Sequence, residues 1–191
     1  MKLRYLILFL CSAWSWAQEN VTYQKPPAEI LALADYQRTP SVSMDSRKEY
    51  MLLSYRNTYK TLDDLNQEEM RLGGLRINPV TNISSTASYI NNLKIRKVKA
   101  TEEIQVAGLP ENPKITFVSW SPDERKIAFT HTTSKGIELW VIDVATASAK
   151  KITSDNLNAN LGSPYMWKDN ATLLIMQLPD NRPALVDQKK D

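Results

Sequence analysis

Cysteine and histidine are nearly absent: the 191 residues hold one of each, Cys11 and His131. One cysteine excludes an intramolecular disulfide framework and a cysteine-based zinc site, and one histidine excludes most histidine-cluster metal centres. No cofactor and no metal are expected. Glycine is scarce, at five residues. No Gly-x-Ser-x-Gly, Gly-x-Gly-x-x-Gly or phosphate-loop pattern occurs, which removes the commonest hydrolase and nucleotide-binding signatures. A charge excess of one sign is also missing. The balance of 24 Lys+Arg against 21 Asp+Glu leaves +3, too little for the concentrated basic face of a nucleic-acid binder. A complete active site is therefore not expected. What is present, 42% apolar residues, suffices for a packed core.

No apolar run reaches the roughly 20 residues that span a bilayer. The longest, Tyr5 to Ala13, follows Lys2 and Arg4 and leads to the small residues Ser15 and Ala17. That is the order of a secretory signal peptide over residues 1–17, cleaved between Ala17 and Gln18. Cleavage removes Cys11 and two cations. The mature chain is expected to be exported, periplasmic or extracellular in a bacterium, and free of the membrane.

After a lead-in over residues 18–40, with a short helix from Pro27 to Ala34, the chain reads as short strands. Ser41–Met44, a polar turn and Tyr50–Tyr55 make strand, turn, strand. Thr61 to Leu72 reads as a helix, with Thr61 as N-cap, Asp64 three residues on, Leu62, Leu65 and Leu72 on one side, and Gly73-Gly74 as the stop. The clearest unit starts at Lys114. Strands over Ile115–Trp120, Lys126–Thr130, Ile137–Val144 and Lys150–Thr153 are separated by turns such as Ser121-Pro122-Asp123-Glu124. Four antiparallel strands in about 40 residues match one blade of a β-propeller. The pattern returns 47 residues later at Trp167-Lys168-Asp169-Asn170, and a weaker copy precedes it at Met44-Asp45-Ser46. The expected fold is mainly β. It is a partial β-propeller of two four-stranded antiparallel blades and the start of a third (about 41–107, 114–154 and 163–191), with one short inserted helix.

The isolated charges read as structural. His131 ends a strand without a signalled nucleophile or orienting acid. Asp63/Asp64, Glu68/Glu69 and Glu102/Glu103 are adjacent pairs whose side chains diverge. Lys94, Arg96, Lys97 and Lys99 alternate across a strand with no interleaved aromatics. Asp123, Asp155, Asp169 and Asn170 are turn formers, and Trp120, Trp140 and Trp167 are blade core.

Several segments resemble a known family. Val118 to Phe129 with Glu138 to Asp143 looks like the Trp-Ser-Pro-Asp-Gly blades of exported propellers, with Glu124 at the turn glycine. Tyr23 to Ile30, Arg71 to Pro79 and Trp167 to Leu174 resemble, in that order, the N-terminal part of glutamyl-endopeptidase-like members of the prolyl oligopeptidase serine peptidase family. The resemblance implies a propeller that gates and positions peptide substrates for a C-terminal α/β-hydrolase domain bearing a Ser-Asp-His triad. No triad position falls within these residues, so no catalytic residue is carried over. Arg71 and Arg76 become candidates for pairing with an acidic substrate side chain; the competing reading is a cation at a helix C-terminus. The expected partners are peptide substrates, through the hydrolase domain, and further copies of the chain through open blade edges. A stand-alone periplasmic interaction module is the alternative function.

Overall fold

Two turns of the same construction organise the chain. In the computed structural model, which describes residues 25–34 and 36–182, strand β1 (Ser41–Met44) turns into β2 (Tyr50–Tyr55). Asp45 N–H donates to the Tyr50 carbonyl and Lys48 N–H to the Asp45 carbonyl, both at 3.1 Å. Strand β8 (Ile115–Trp120) turns into β9 (Lys126–Thr132) with the same two bonds, Ser121 to Lys126 at 2.8 Å and Glu124 to Ser121 at 2.9 Å. The fourth turn residue is left-handed in each, Lys48 and Glu124 both at φ 58°. In each turn a side-chain oxygen also caps backbone N–H groups: Asp45 takes those of Glu49 and Tyr50, and the Ser121 hydroxyl takes that of Lys126.

Each turn begins a four-stranded antiparallel sheet. The first runs β1-β2-β6-β7, with β6 at Asn92–Lys97 and β7 at Ile104–Gln105. The second is a meander of β8, β9, β10 (Ile137–Asp143) and β11 (Ser148–Lys151). A hairpin of β12 (Tyr165–Trp167) and β13 (Leu173–Ile175) follows. The molecule is thus mainly β, as expected, and built from several antiparallel sheets. Its described strands do not close into a barrel or ring. Helix α1 (Ala28–Ala34) lies in a separate unit ending at Tyr36, whereas all the sheets belong to the unit that begins at Gln37. The signal sequence and its cleavage point at Ala17 and Gln18 lie outside the described residues.

One expectation fails, over Thr61–Leu72. The Thr61/Asp64 capping box forms, yet helix α2 covers only Leu62–Leu65. Its leucines find no core: Leu62 is 83% and Leu65 67% exposed. A single turn without packing cannot propagate. Beyond it, β3 (Met70–Leu72) pairs with β4 (Leu75–Asn78), which pairs with β5 (Ile83–Ser84). Gly73 and Gly74, at φ 53° and 93°, form a two-residue hairpin loop rather than a helix stop. Both positions need positive φ in the loop type that matches strand twist.

The second sheet is covered on both faces. Ile127, Phe129 and Ile142 pack with Leu52, Leu93 and Ile95 of the first sheet. On the far side Ala128, Ile137 and Leu139 pack with Leu157, Ala159, Tyr165 and Ile83, the last from the inserted β5. The Tyr165 hydroxyl enters this layer. It donates to the Ala128 carbonyl at 2.8 Å, lies against the Phe117 carbonyl, and meets the Ser119 hydroxyl at 3.0 Å. Burial pushes its pKa up, so it stays a donor. Trp120 and Trp167 end the first strands of successive units, and each packs half-buried against the cluster shared with the preceding sheet, whereas Trp140 lies in mid-β10; Trp140 stacks on Phe129 with centroids 6.2 Å apart.

Phe129→Ala should cost about 3–5 kcal/mol. Urea unfolding followed by tryptophan fluorescence and by far-UV circular dichroism should show one transition at lower midpoint. Two separated transitions would mean that the sheets do not share a core.

Candidate functional site

The inserted segment between β2 and β6 carries a cluster of organised charge. In the β3–β4 hairpin Arg71 and Arg76 are direct cross-strand partners, so their side chains leave the same face. Like charges there would repel. Glu69 resolves this: its two carboxylate oxygens accept from Arg71 Nε and Arg76 Nε, each at 2.7 Å. The Ser85 hydroxyl, just past β5, donates to the same carboxylate at 2.6 Å. The Ser85 hydrogen bond and the two guanidinium groups hold the Glu69 carboxyl down to about 2. Arg71 and Arg76 are 76% and 51% exposed, and each keeps outward N–H groups beyond the one given to Glu69. Neither residue stands at a helix C-terminus. Glu69 was indistinguishable from its neighbour Glu68 in sequence, because only the hairpin register sets it under both arginines.

Beneath the insert lies a cleft of about 560 Å³ between α2, the β4–β5 turn and the ends of β8 and β9. Lys114 crosses it, with Nζ 3.0 Å from Asp64 Oδ1 and 5.5 Å from the Tyr89 ring centroid. Partial burial raises the Asp64 pKa, but hydrogen bonds from Lys114 and Thr61 outweigh it and leave the carboxyl below its usual range. His131 also lines the cleft. Its Nδ1 accepts the Lys114 backbone N–H at 3.2 Å, which leaves the ring proton on Nε2. Burial lowers its pKa. No described hydroxyl or carboxylate hydrogen-bonds to this ring, so it lacks the nucleophile and orienting acid of a hydrolytic triad.

The adjacent carboxylates separate as their spacing requires. Asp64 takes Lys114, Glu69 takes the arginine pair, and Glu103 takes Lys94 at 2.9 Å and the Tyr55 hydroxyl at 2.8 Å. Asp123 and Asp169 cap their own turns, receiving the N–H groups of Arg125 and of Ala171 and Thr172.

Comparison with known proteins gives two relatives. One is a protein of Arabidopsis thaliana named "Probable glutamyl endopeptidase, chloroplastic", 32% identical over 173 residues, which is 84% of this chain and 18% of that protein. The other, from Oryza sativa subsp. japonica and with the same name, is 32% identical over 175 residues, 85% of this chain and 19% of its own length. This chain has peptidase-named relatives. It spans about a fifth of the length of these curated proteins. No family model matches the chain, and no solved structure matches it.

The Glu69 cluster has a defined pH response. Its depressed pKa means that the pairing contributes fully above the ordinary carboxyl value of 4.5 and is lost as pH falls towards 2. Amide protection factors of Arg76 to Asn78, taken relative to the intrinsic exchange rate at each pH, should fall across that window. In Glu69→Gln the same protection factors should be low already at pH 7, with little further change on acidification.

Proposed function

We propose that the chain is the non-catalytic propeller portion of an exported serine peptidase of the prolyl oligopeptidase family, in which it gates and positions peptide substrates for an α/β-hydrolase domain. The observation that carries this reading is the repeated turn, bond for bond, at the head of two four-stranded sheets stacked face to face. Stacked antiparallel sheets with a common starting turn are how propeller blades bury both faces. The names of the two plant relatives support a peptidase context. The exposed arginine pair on the insert offers a surface for acidic peptides. Export rests on the sequence of residues 1–17.

A second reading, an interaction module completed by self-association, is favoured by the last hairpin. Met166 and Leu174 are 62% and 52% exposed on it, and Met176 beside it is 49% exposed. Apolar groups on one small hairpin favour contact with another surface.

Both readings are open to test with the full chain after signal removal. It should hydrolyse no peptide and take no label from a fluorophosphonate probe, yet bind unstructured peptides with a saturable signal. Label uptake together with turnover would overturn the non-catalytic assignment. Sedimentation velocity separates the two readings. A monomer that binds peptide fits the gating role, and a concentration-dependent oligomer indifferent to peptide fits the interaction module.

A further inference from the structure

A second polar site lies where the first and second sheets meet. Strand alternation puts Ser41 and Ser43 of β1 on one face, and the register pairs them with Ser54 and Leu52 of β2. Deeper in the sheet this face is apolar, through Leu52, Leu93 and Ile95. Towards β1 it changes to the hydroxyl residues Ser41, Ser43 and Ser54, and Arg56 follows just past the end of β2. Thr116, Phe117, Val118 and Trp120 of β8 form the opposite wall of a groove of about 320 Å³.

Three features of this groove point to a ligand. Arg56, an exposed residue, lines it and makes no ion pair with any described residue, a lack it shares with Arg96 and Arg125, which lie outside the groove. The hydroxyls of Ser41 and Ser54 line it as well and hydrogen-bond to no described side chain or backbone group, although Ser54 is only 8% exposed. Phe117, on the opposite wall, is held left-handed at φ 50° in a bulge between Thr116 and Ser119. A bulky residue rarely adopts that conformation, and such bulges concentrate where a strand serves a site. The two walls also present free strand edges. β1 is the outer strand of its sheet, and the edge of β8 away from β9 is met among described residues only by Ile90, at Ile115.

A forked guanidinium with hydroxyl donors is matched by a carboxylate. Free strand edges are matched by an extended backbone. We propose that this groove binds a carboxylate carried on an extended peptide, with Arg56 as the charge partner and the Ser41 and Ser54 hydroxyls as further donors. The inference rests on the peptide-positioning reading and moves anion recognition from Arg71 and Arg76 to Arg56. In the arginine pair, Glu69 already neutralises half the charge.

The Trp120 indole N–H donates to the Ser43 hydroxyl at 2.9 Å inside the groove, so its NMR resonance reports occupancy. The full chain after signal removal would be titrated with three peptides: acetyl-tetra-alanine as free acid, the same peptide as C-terminal amide, and acetyl-Ala-Glu-Ala-Ala amide. The resonance should shift saturably with at least one of the two acids and not with the neutral amide. A shift with the free acid alone identifies a chain terminus as the ligand, and a shift with the glutamyl amide alone identifies an acidic side chain. Arg56→Gln should weaken binding about tenfold or more, since a charge-assisted pair is lost. Arg56→Lys should restore part of it, and Arg71→Gln/Arg76→Gln should change it less than twofold. Peptide binding that survives Arg56→Gln would overturn this site and leave the positioning role standing. Absence of binding by all three peptides would overturn both.

Discussion

The enclosure of the second sheet is the constraint from which the remaining architecture follows. Its central strand alternates large and small, with Ile127 and Phe129 towards one layer and Ala128 towards the other. A slip of one residue would drive two large side chains into the space shaped for Ala128 and leave a void opposite. Register in β9 is therefore fixed from both sides. The first sheet must meet it with Leu52, Leu93 and Ile95, and the last hairpin must bring Tyr165 to the other face. The insert takes part as well. It leaves the first sheet and returns Ile83 to the far side of the second, where Ile83 bridges Ala159.

Burying strands on both faces creates polar obligations, and at the starting turns and at Tyr165 these are met locally. Each starting turn satisfies its own N–H groups with an Asp or Ser side chain. The Tyr165 hydroxyl has one proton for two nearby carbonyls, so the Ser119 hydroxyl is left to donate back to it. The charges follow the same economy. Glu69, Asp64 and Glu103 each hold a cation, while Glu68, Asp63 and Glu102 make no ion pair with a described residue. Arg56, like Arg96, Arg125 and Arg182, makes no ion pair with a described residue, and of these it alone lines the groove between β1 and β8.

The parts legible in the sequence were those coded by near neighbours. The alternation in Ile115–Trp120 and Ile137–Asp143, and the turn residues between them, gave strands close to where they lie. The capping box at Thr61 was equally plain. What it could not reveal was where the helix would stop. That depends on whether Leu62, Leu65 and Leu72 find a partner surface, and all three are at least half exposed. The glycine pair was misread for the same reason: positive φ serves a helix end and a hairpin loop alike. At the site, Arg71 and Arg76 were recognisable as unusual charges, but Glu69 and Arg56 were not. Their significance comes from cross-strand register and from the absence of a neighbour, which no window of sequence contains.

The turn at Glu124 links two repeats in a manner that a glycine could not. Its carboxylate accepts both the backbone N–H and the hydroxyl of Ser46, at 2.8 and 2.7 Å, in the matching turn of the first sheet. The left-handed backbone there favours glycine on conformational grounds, while the clasp favours glutamate. Position 124 is thus under opposed local and long-range constraints. Loss of the serine would remove only the hydroxyl half of the clasp, because the backbone N–H half persists whatever side chain stands at position 46, so the glutamate keeps a partner 78 residues away.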